Sequence, residues 1–377
     1  MLQNASIATA KAVKNGRRNE VCFYSKELDK SAKRRFQLQS DIHRAAERGE
    51  FRLAYQPKYS LESAELTGFE ALLRWNHPTL GKVSATEFVA LAEELDVISV
   101  ISKWSVCAAM DQVAGWRKRG YNNFSVAVNL SACELNDPGL GRFLIKQLEA
   151  RELTADAIEI EITETTGIES STEAAQLLHS LSDYGFKIAI DDFGTGFASL
   201  SYLQMFPIDR IKIDRSIVTN VDNNERNAQL VRAIISLGSC LNISILAEGV
   251  ETQEELTFLQ DYGCDQAQGY LLGKPMEAEI VFKLLSSQHL INQDIQQSKL
   301  RLWGSSGLSD NHVAANRAVS GDSHTSQNRN ARVVSLPVSG IGAVVSPFLE
   351  QKSIDSAMVD SSWGQDSDRL ERSGTDD

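Results

Sequence analysis

The chain has 377 residues, 42% hydrophobic and 23% charged, enough to bury a sizeable core in one large domain or two ordinary ones. Its formal net charge of -12 argues against non-specific binding to DNA, RNA or an acidic membrane, so a polyanionic substrate requires a locally positive site. Five scattered cysteines without a C-x-x-C pair, no apolar run of membrane-spanning length and no apolar signal core read as a cytoplasmic chain with reduced thiols.

In chain order, the N-terminal stretch through "KELDKSAKRRFQLQSDIHRAAERGEF" is basic and helical in pattern. Strand-like runs follow at Arg52 to Lys58 and Leu66 to Leu72, then the amphipathic "ATEFVALAEEL". Further runs stand at Phe124 to Leu130, Ala157 to Ile162, Lys187 to Asp191, Arg210 to Ile213, Ile243 to Ala247 and Asp265 to Tyr270. Helical patterns such as "NAQLVRAIISLGSCL" separate most of them, and Gly120, Gly185 and Gly263 stand where helix C-termini need a left-handed residue. Eight strands with interleaved helices over about 240 residues fit an α/β fold of the (β/α)8 TIM-like barrel type, its sheet mostly parallel. The competing doubly wound open sheet lacks its glycine fingerprint after the first strand. From about Gln297 the chain turns rich in Ser, Asp, Asn and Gly and reads as a disordered tail. Within it "ARVVSLPVSGIGAVVSPFL" is more apolar, a docking segment or a sticky patch.

Polar residues fall at or just past the C-terminal ends of seven of these strands: Glu70, Asn129, Glu161 with Glu164, Asp191 with Asp192, Lys212 with Asp214, Glu248 with Glu251, and Gln268. Any one of them alone reads as a helix N-cap. Together they converge on one mouth, the end at which barrels of this kind build their sites. The set contains carboxylates, carboxamides and a lysine but no histidine, so an all-oxygen ligand set selects Mg²⁺ or Mn²⁺, with Ca²⁺ an unreactive competitor. Side by side, Asp191 and Asp192 repel and lose hydration, which favours protonation unless a multivalent cation or a cationic substrate reverses it. At a strand end each can face a different ion while one bridges both, an arrangement suited to in-line displacement at phosphorus. Lys212 then orients the attacking water or stabilises developing negative charge; its duller reading is a salt bridge inside the barrel. Gly194 and Gly196 read as a flexible loop beside the ions, or more plainly as turn residues.

At this point the chain resembles the EAL-domain phosphodiesterases of cyclic di-GMP. The name motif stands as Glu70-Ala71-Leu72, accompanied in order by "VNLS", "EIEITET", "DDFGTGFASLSYL", "IKIDRS", "AEGVET" and "QGYLLGKP". The resemblance implies that Glu70, Asn129, Glu161 and Asp191 bind a first metal, and that Asp191 bridges to a second held with Asp192 and Glu248. It further implies catalytic roles for Lys212 and Glu251, bracing of the loop by Glu164 and Asp214, and substrate contacts from Gln56, Arg74 and Gln268. The implied reaction is hydrolysis of cyclic di-GMP to linear pGpG with two Mg²⁺ or Mn²⁺ ions, and inhibition by Ca²⁺. The alternative is a catalytically silent receptor or regulatory module that binds cyclic di-GMP; in such members metal ligands are missing, whereas here every ligand position is filled. Departures are small: Ala85 replaces a usual proline, Asp96 a usual glycine, and Phe197-Ala198-Ser199 a usual Tyr-Ser-Ser.

"KNGRRNEVCFYS" is similar to the last strand of a GGDEF domain, whose catalytic signature the chain lacks. The expected organisation is a GGDEF remnant with a connecting helix over residues 1–35, an EAL barrel over 36–290 and a disordered tail over 291–377. The partners implied are cyclic di-GMP, a second copy in a homodimer, and an upstream GGDEF or sensor domain.

Overall fold

The computed structural model describes residues 26–164, 172–196, 203 and 205–287. The stretch resembling a GGDEF strand, the Phe197-Ala198-Ser199 segment, the tail and its apolar patch lie outside the described residues.

Helix α1 (Lys26–Ala45) crosses the expected boundary at residue 36. Its Leu38, Ile42 and Ala45, one helical face, are buried in a cluster with Phe51, Trp75, Phe88 and Leu91. Arg34 pairs with Glu87 at 2.9 Å beside that contact.

Strands β1 (Phe51–Ser60) and β2 (Leu66–His77) form an antiparallel hairpin that pairs Phe51 with Trp75 and Gln56 with Glu70. The linking segment, residues 61–65, is too short for the crossover of a dozen or more residues that parallel strands need. The short β3 (Gly81–Val83), absent from the sequence reading, extends β2 outward. Then come α2 (Ala85–Glu94), α3 (Ile98–Arg117), β4 (Ser125–Asn129), α4 (Ala132–Leu135), α5 (Leu140–Glu149) and β5 (Ile158–Thr163). The second half runs α6 (Thr172–Tyr184), β6 (Lys187–Phe193), β7 (Arg210–Ile213), α7 (Arg215–Val218), α8 (Glu225–Leu241), β8 (Ser244–Ala247), α9 (Gln253–Asp261) and β9 (Gln266–Ala267). The sheet order is β1-β9-β8-β7-β6-β5-β4-β2-β3, with β1 pairing β2 to close the barrel. All neighbours from β4 to β9 are parallel, as is β2 with β4, while β1 is antiparallel to both β2 and β9. The mostly parallel expectation therefore holds for seven barrel strands and not for the first.

Local chemistry sets the element ends. Ser84 and Asn224 accept backbone N–H groups at the starts of α2 and α8, and Thr252 with Glu255 forms a capping box on α9. Asp96, standing at the usual glycine position, takes φ +57° just past α2, so the left-handed turn is kept without the glycine. On the outer face, Phe69, Trp116 and Phe124 stack at 5.5 to 5.8 Å and seat α3 on the sheet. Among the described residues, no helix is long and apolar enough to cross a membrane.

Candidate metal and substrate site

Inside the barrel the strands alternate apolar residues facing the helices with polar residues facing the axis. Lys212, flanked by Ile211 and Ile213 on β7, is fully enclosed. Its Nζ lies 2.7 Å from Glu248 Oε1, 2.9 Å from Glu161 Oε2, 3.0 Å from Asp191 Oδ1 and 3.7 Å from Glu70 Oε2. Burial alone would push this lysine down, but Asp191, Glu161, Glu248 and Glu70 outweigh it and hold the ammonium well above its ordinary value. The structure places Lys212 in a buried salt bridge at the centre of the carboxylate cluster, the plainer of its two readings.

Glu70, Glu161 and Asp191 bring one oxygen each to within 4.8 Å of one another, and so do Asp191, Asp192 and Glu248. Asp191 belongs to both groups. Asn129 Nδ2 lies 3.2 Å from Glu70 Oε1 and 3.4 Å from Glu161 Oε2, placing the amide at the first group. The donor set fits divalent cations: it is all oxygen, clustered and short of positive charge. Glu248 shows that shortage, because burial, then repulsion by Asp191 and Glu70, raises it well above its ordinary value despite Lys212. Asp192 is raised to about 6 by lost hydration and by the nearby Asp191 and Asp214.

Neighbouring residues on a regular strand point to opposite faces, so Asp191 and Asp192 should not share a site. A bulge resolves this. Pairing of β6 with β7 shifts register between Ile190 and Phe193, and Asp192 takes φ +55°. That conformation is unfavourable for a non-glycine residue by about 1–2 kcal/mol, and it turns the second carboxylate back toward the first. The Asp192 N–H donates to Asp191 Oδ1 at 2.9 Å.

Gln268, just past β9, donates through Nε2 to Glu70 Oε2 at 2.6 Å and to Gln56 Oε1 at 3.2 Å, while Gln56 donates to the Gly273 carbonyl at 3.1 Å. Arg74 is partly buried and donates to the carbonyl of its neighbour Leu73 at 2.9 Å. Glu164 Oε2 accepts the Gly194 N–H at 2.8 Å. A Cβ on Gly196 would come within 2.8 Å of Glu164 Oε1, so this glycine permits the close approach of the Glu164 carboxylate. Asp214 caps α7 through the Ser216 N–H at 2.9 Å. Glu251 stands apart from the cluster: it pairs with Arg215 at 2.8 Å, on a partly exposed surface.

Two residues escaped the sequence reading. Lys58 on β1 is 1% exposed and sits 2.8 Å from Glu159 Oε1 and 2.7 Å from Glu161 Oε1. Glu159 also pairs with Arg210, and these two cations, outweighing burial, hold its carboxyl well below the ordinary range. The available signal was the alternation of "YQPKY" and "EIEIT", which puts Gln56 with Lys58 and Glu159 with Glu161 on inward faces.

Comparison with known proteins gives this arrangement a family. The EAL domain model matches residues 39–275. MucR of Pseudomonas aeruginosa, named a bifunctional diguanylate cyclase/cyclic di-GMP phosphodiesterase, is 38% identical over 279 residues, covering 74% of this chain and 41% of MucR. NbdA of the same organism, named a cyclic di-GMP phosphodiesterase, is 33% identical over 276 residues, covering 73% of this chain and 35% of NbdA. The chain thus spans less than half the length of these relatives. The solved MucR phosphodiesterase in complex with c-di-GMP superposes with a TM-score of 0.63 at 39% identity, over 65% of this chain and 99% of that one. The FimX EAL domain of Pseudomonas aeruginosa bound to c-di-GMP gives 0.59 at 27% identity, over 63% and 96%. Fold, motif order and the matched span together make the chain a member of the EAL-domain family.

Proposed function

We propose that the chain is an active phosphodiesterase that hydrolyses one bond of cyclic di-GMP to give linear pGpG, using two Mg²⁺ or Mn²⁺ ions in the cytoplasm. The observation that carries this reading is the pair of acidic groups sharing Asp191, with every expected ligand present. Glu70, Asn129, Glu161 and Asp191 would hold one ion, and Asp191, Asp192 and Glu248 the other. Bound there, the ions supply electrophilic activation of water and of the phosphodiester.

The chain's own residues would do the rest. The Lys212 ammonium, fully enclosed among carboxylates, would donate to the attacking oxygen or to negative charge developing on phosphate. Gln268, hydrogen-bonded to both Glu70 and Gln56, would orient the first ligand while linking it to the substrate side. Arg74 would meet phosphate through its guanidinium. Glu164 at Gly194 and Asp214 at α7 would fix the loops on either side of Asp192, and the Glu251 pair with Arg215 would steady the segment after Glu248. An upstream GGDEF or sensor domain and a homodimer are the partners proposed for the whole protein; the name of MucR, with its cyclase, supports the first.

The test is incubation of the purified chain with cyclic di-GMP in Mg²⁺, Mn²⁺ or Ca²⁺, with products separated by chromatography. The expected outcome is pGpG with the first two ions and none with Ca²⁺, which takes more ligands in a looser geometry. Equal turnover in Ca²⁺ would count against the scheme, and tight binding with no product in any ion would favour the silent receptor.

A further inference from the structure

We propose that Lys58 is a positioning residue that sets which divalent cation the site prefers, by occupying one oxygen of Glu161 and leaving that ligand a single oxygen for metal. The inference rests on the reading of the acidic cluster as a metal site.

The Glu161 carboxylate is divided between two enclosed lysines. Oε2 lies 2.9 Å from Lys212, which also contacts Glu70, Asp191 and Glu248, and 3.4 Å from Asn129, which also contacts Glu70, so this oxygen faces the cluster. Oε1 lies 2.7 Å from Lys58 on the other side. Lys58 has little freedom to leave. Its side chain is 2% exposed, and its second partner, Glu159 at 2.8 Å, is itself held by Arg210. The register of β1 explains the placement: Gln56, two residues earlier on the same face, reaches Gln268 beside Glu70, so Lys58 comes one layer deeper, out of reach of a substrate at the mouth.

A carboxylate with one oxygen committed to an ammonium offers a metal only the other. Mg²⁺ requires compact octahedral geometry and accepts single carboxylate oxygens, whereas Ca²⁺ takes six to eight oxygens and readily uses both from one carboxylate. Lys58 therefore withholds an oxygen that Ca²⁺ would use and the smaller ions do not need. Nothing about substrate binding is involved.

Titration calorimetry of the full chain with Mn²⁺ and with Ca²⁺, without substrate, reads this directly. Lys58→Met keeps the unbranched stem, removes the ammonium and leaves Arg210 for Glu159. The expected result is that the parent's preference for Mn²⁺ over Ca²⁺ narrows about tenfold in Lys58→Met, within the range seen when groups behind a metal ligand are removed. Lys58→Arg, which keeps a cationic donor, should retain the parental ratio. An unchanged ratio in a folded Lys58→Met overturns the proposal while leaving the metal site intact. Failure of the parent to bind either ion overturns both. Should Lys58→Met not fold, a crystal structure of the parent with Mn²⁺ decides: Glu161 ligating through one oxygen with Lys58 on the other supports the proposal, and Glu161 ligating through both oxygens overturns it.

Discussion

At the scale of single residues, the barrel axis is a column of alternating charge. Lys58, Arg210 and Lys212 face Glu70, Glu159, Glu161, Asp191, Asp192 and Glu248, so cations are outnumbered toward the mouth. At the deeper end Glu159 pairs with both Lys58 and Arg210, and there the pairs serve the fold. Removing one partner of a buried pair leaves an uncompensated charge, so Glu159→Gln should lose about 3–5 kcal/mol at neutral pH, measured by urea unfolding. Glu159 is held below its ordinary value, so its contribution is complete above the unfolded value of about 4.3 and fades as pH falls below it. The gap between parent and variant should accordingly shrink between pH 7 and pH 3, and an equal gap at both would contradict the pairing. Lys212 and the strand-end carboxylates could be read from the sequence because each is a polar interruption in a strongly apolar run. Lys58 and Glu159 interrupt such runs as well, but away from the strand ends, where the position alone does not announce a site.

At the scale of elements, strand existence was legible because β-rich runs bounded by glycines and helical periods are local signals. The antiparallel course of β1 is signalled by the short spacing to β2, whereas strand counting alone gives a mostly parallel barrel without saying which strand departs. The bulge in β6 was not, since adjacent aspartates look the same in a regular strand; it depends on how β7 and the turn at Gly194 pull the chain. Another contact of this kind joins the loops after β8 and β9. Val250 donates to the Gln268 carbonyl at 3.1 Å, Leu271 donates to the Val250 carbonyl at 3.1 Å, and a Cβ on Gly269 would fall 2.1 Å from that carbonyl oxygen. Backbone cannot yield as a side-chain tip can. Gly269→Ala should therefore destabilise the chain by about 3 kcal/mol, the upper part of the overpacking range. It should also weaken turnover by separating Glu248 from Gln268. A thermal midpoint within error of the parent would show that the two loops move independently.

At the scale of the whole molecule, a closed barrel gathers ligands from β2, β4, β5, β6 and the end of β8 into one mouth, sites far apart in sequence. In such a cluster the carboxylates lose hydration and repel one another, and burial first, then like charge, raises Glu248 and Asp192. An ion that binds only the folded chain stabilises it by mass action, about 2.7 kcal/mol at a hundredfold excess over the dissociation constant. Mn²⁺ at that level should raise the melting temperature by about 5–10 °C for a domain of this size, and Asp191→Asn should abolish the rise. No rise in the parent would argue against ion binding at the shared aspartate. The claim that the acidic mouth carries the reaction is tested most directly by turnover of cyclic di-GMP in parent and Glu70→Ala at saturating Mn²⁺. The expected outcome is pGpG from the parent and none above background from the variant; parental turnover in Glu70→Ala would show that the reaction does not depend on this mouth.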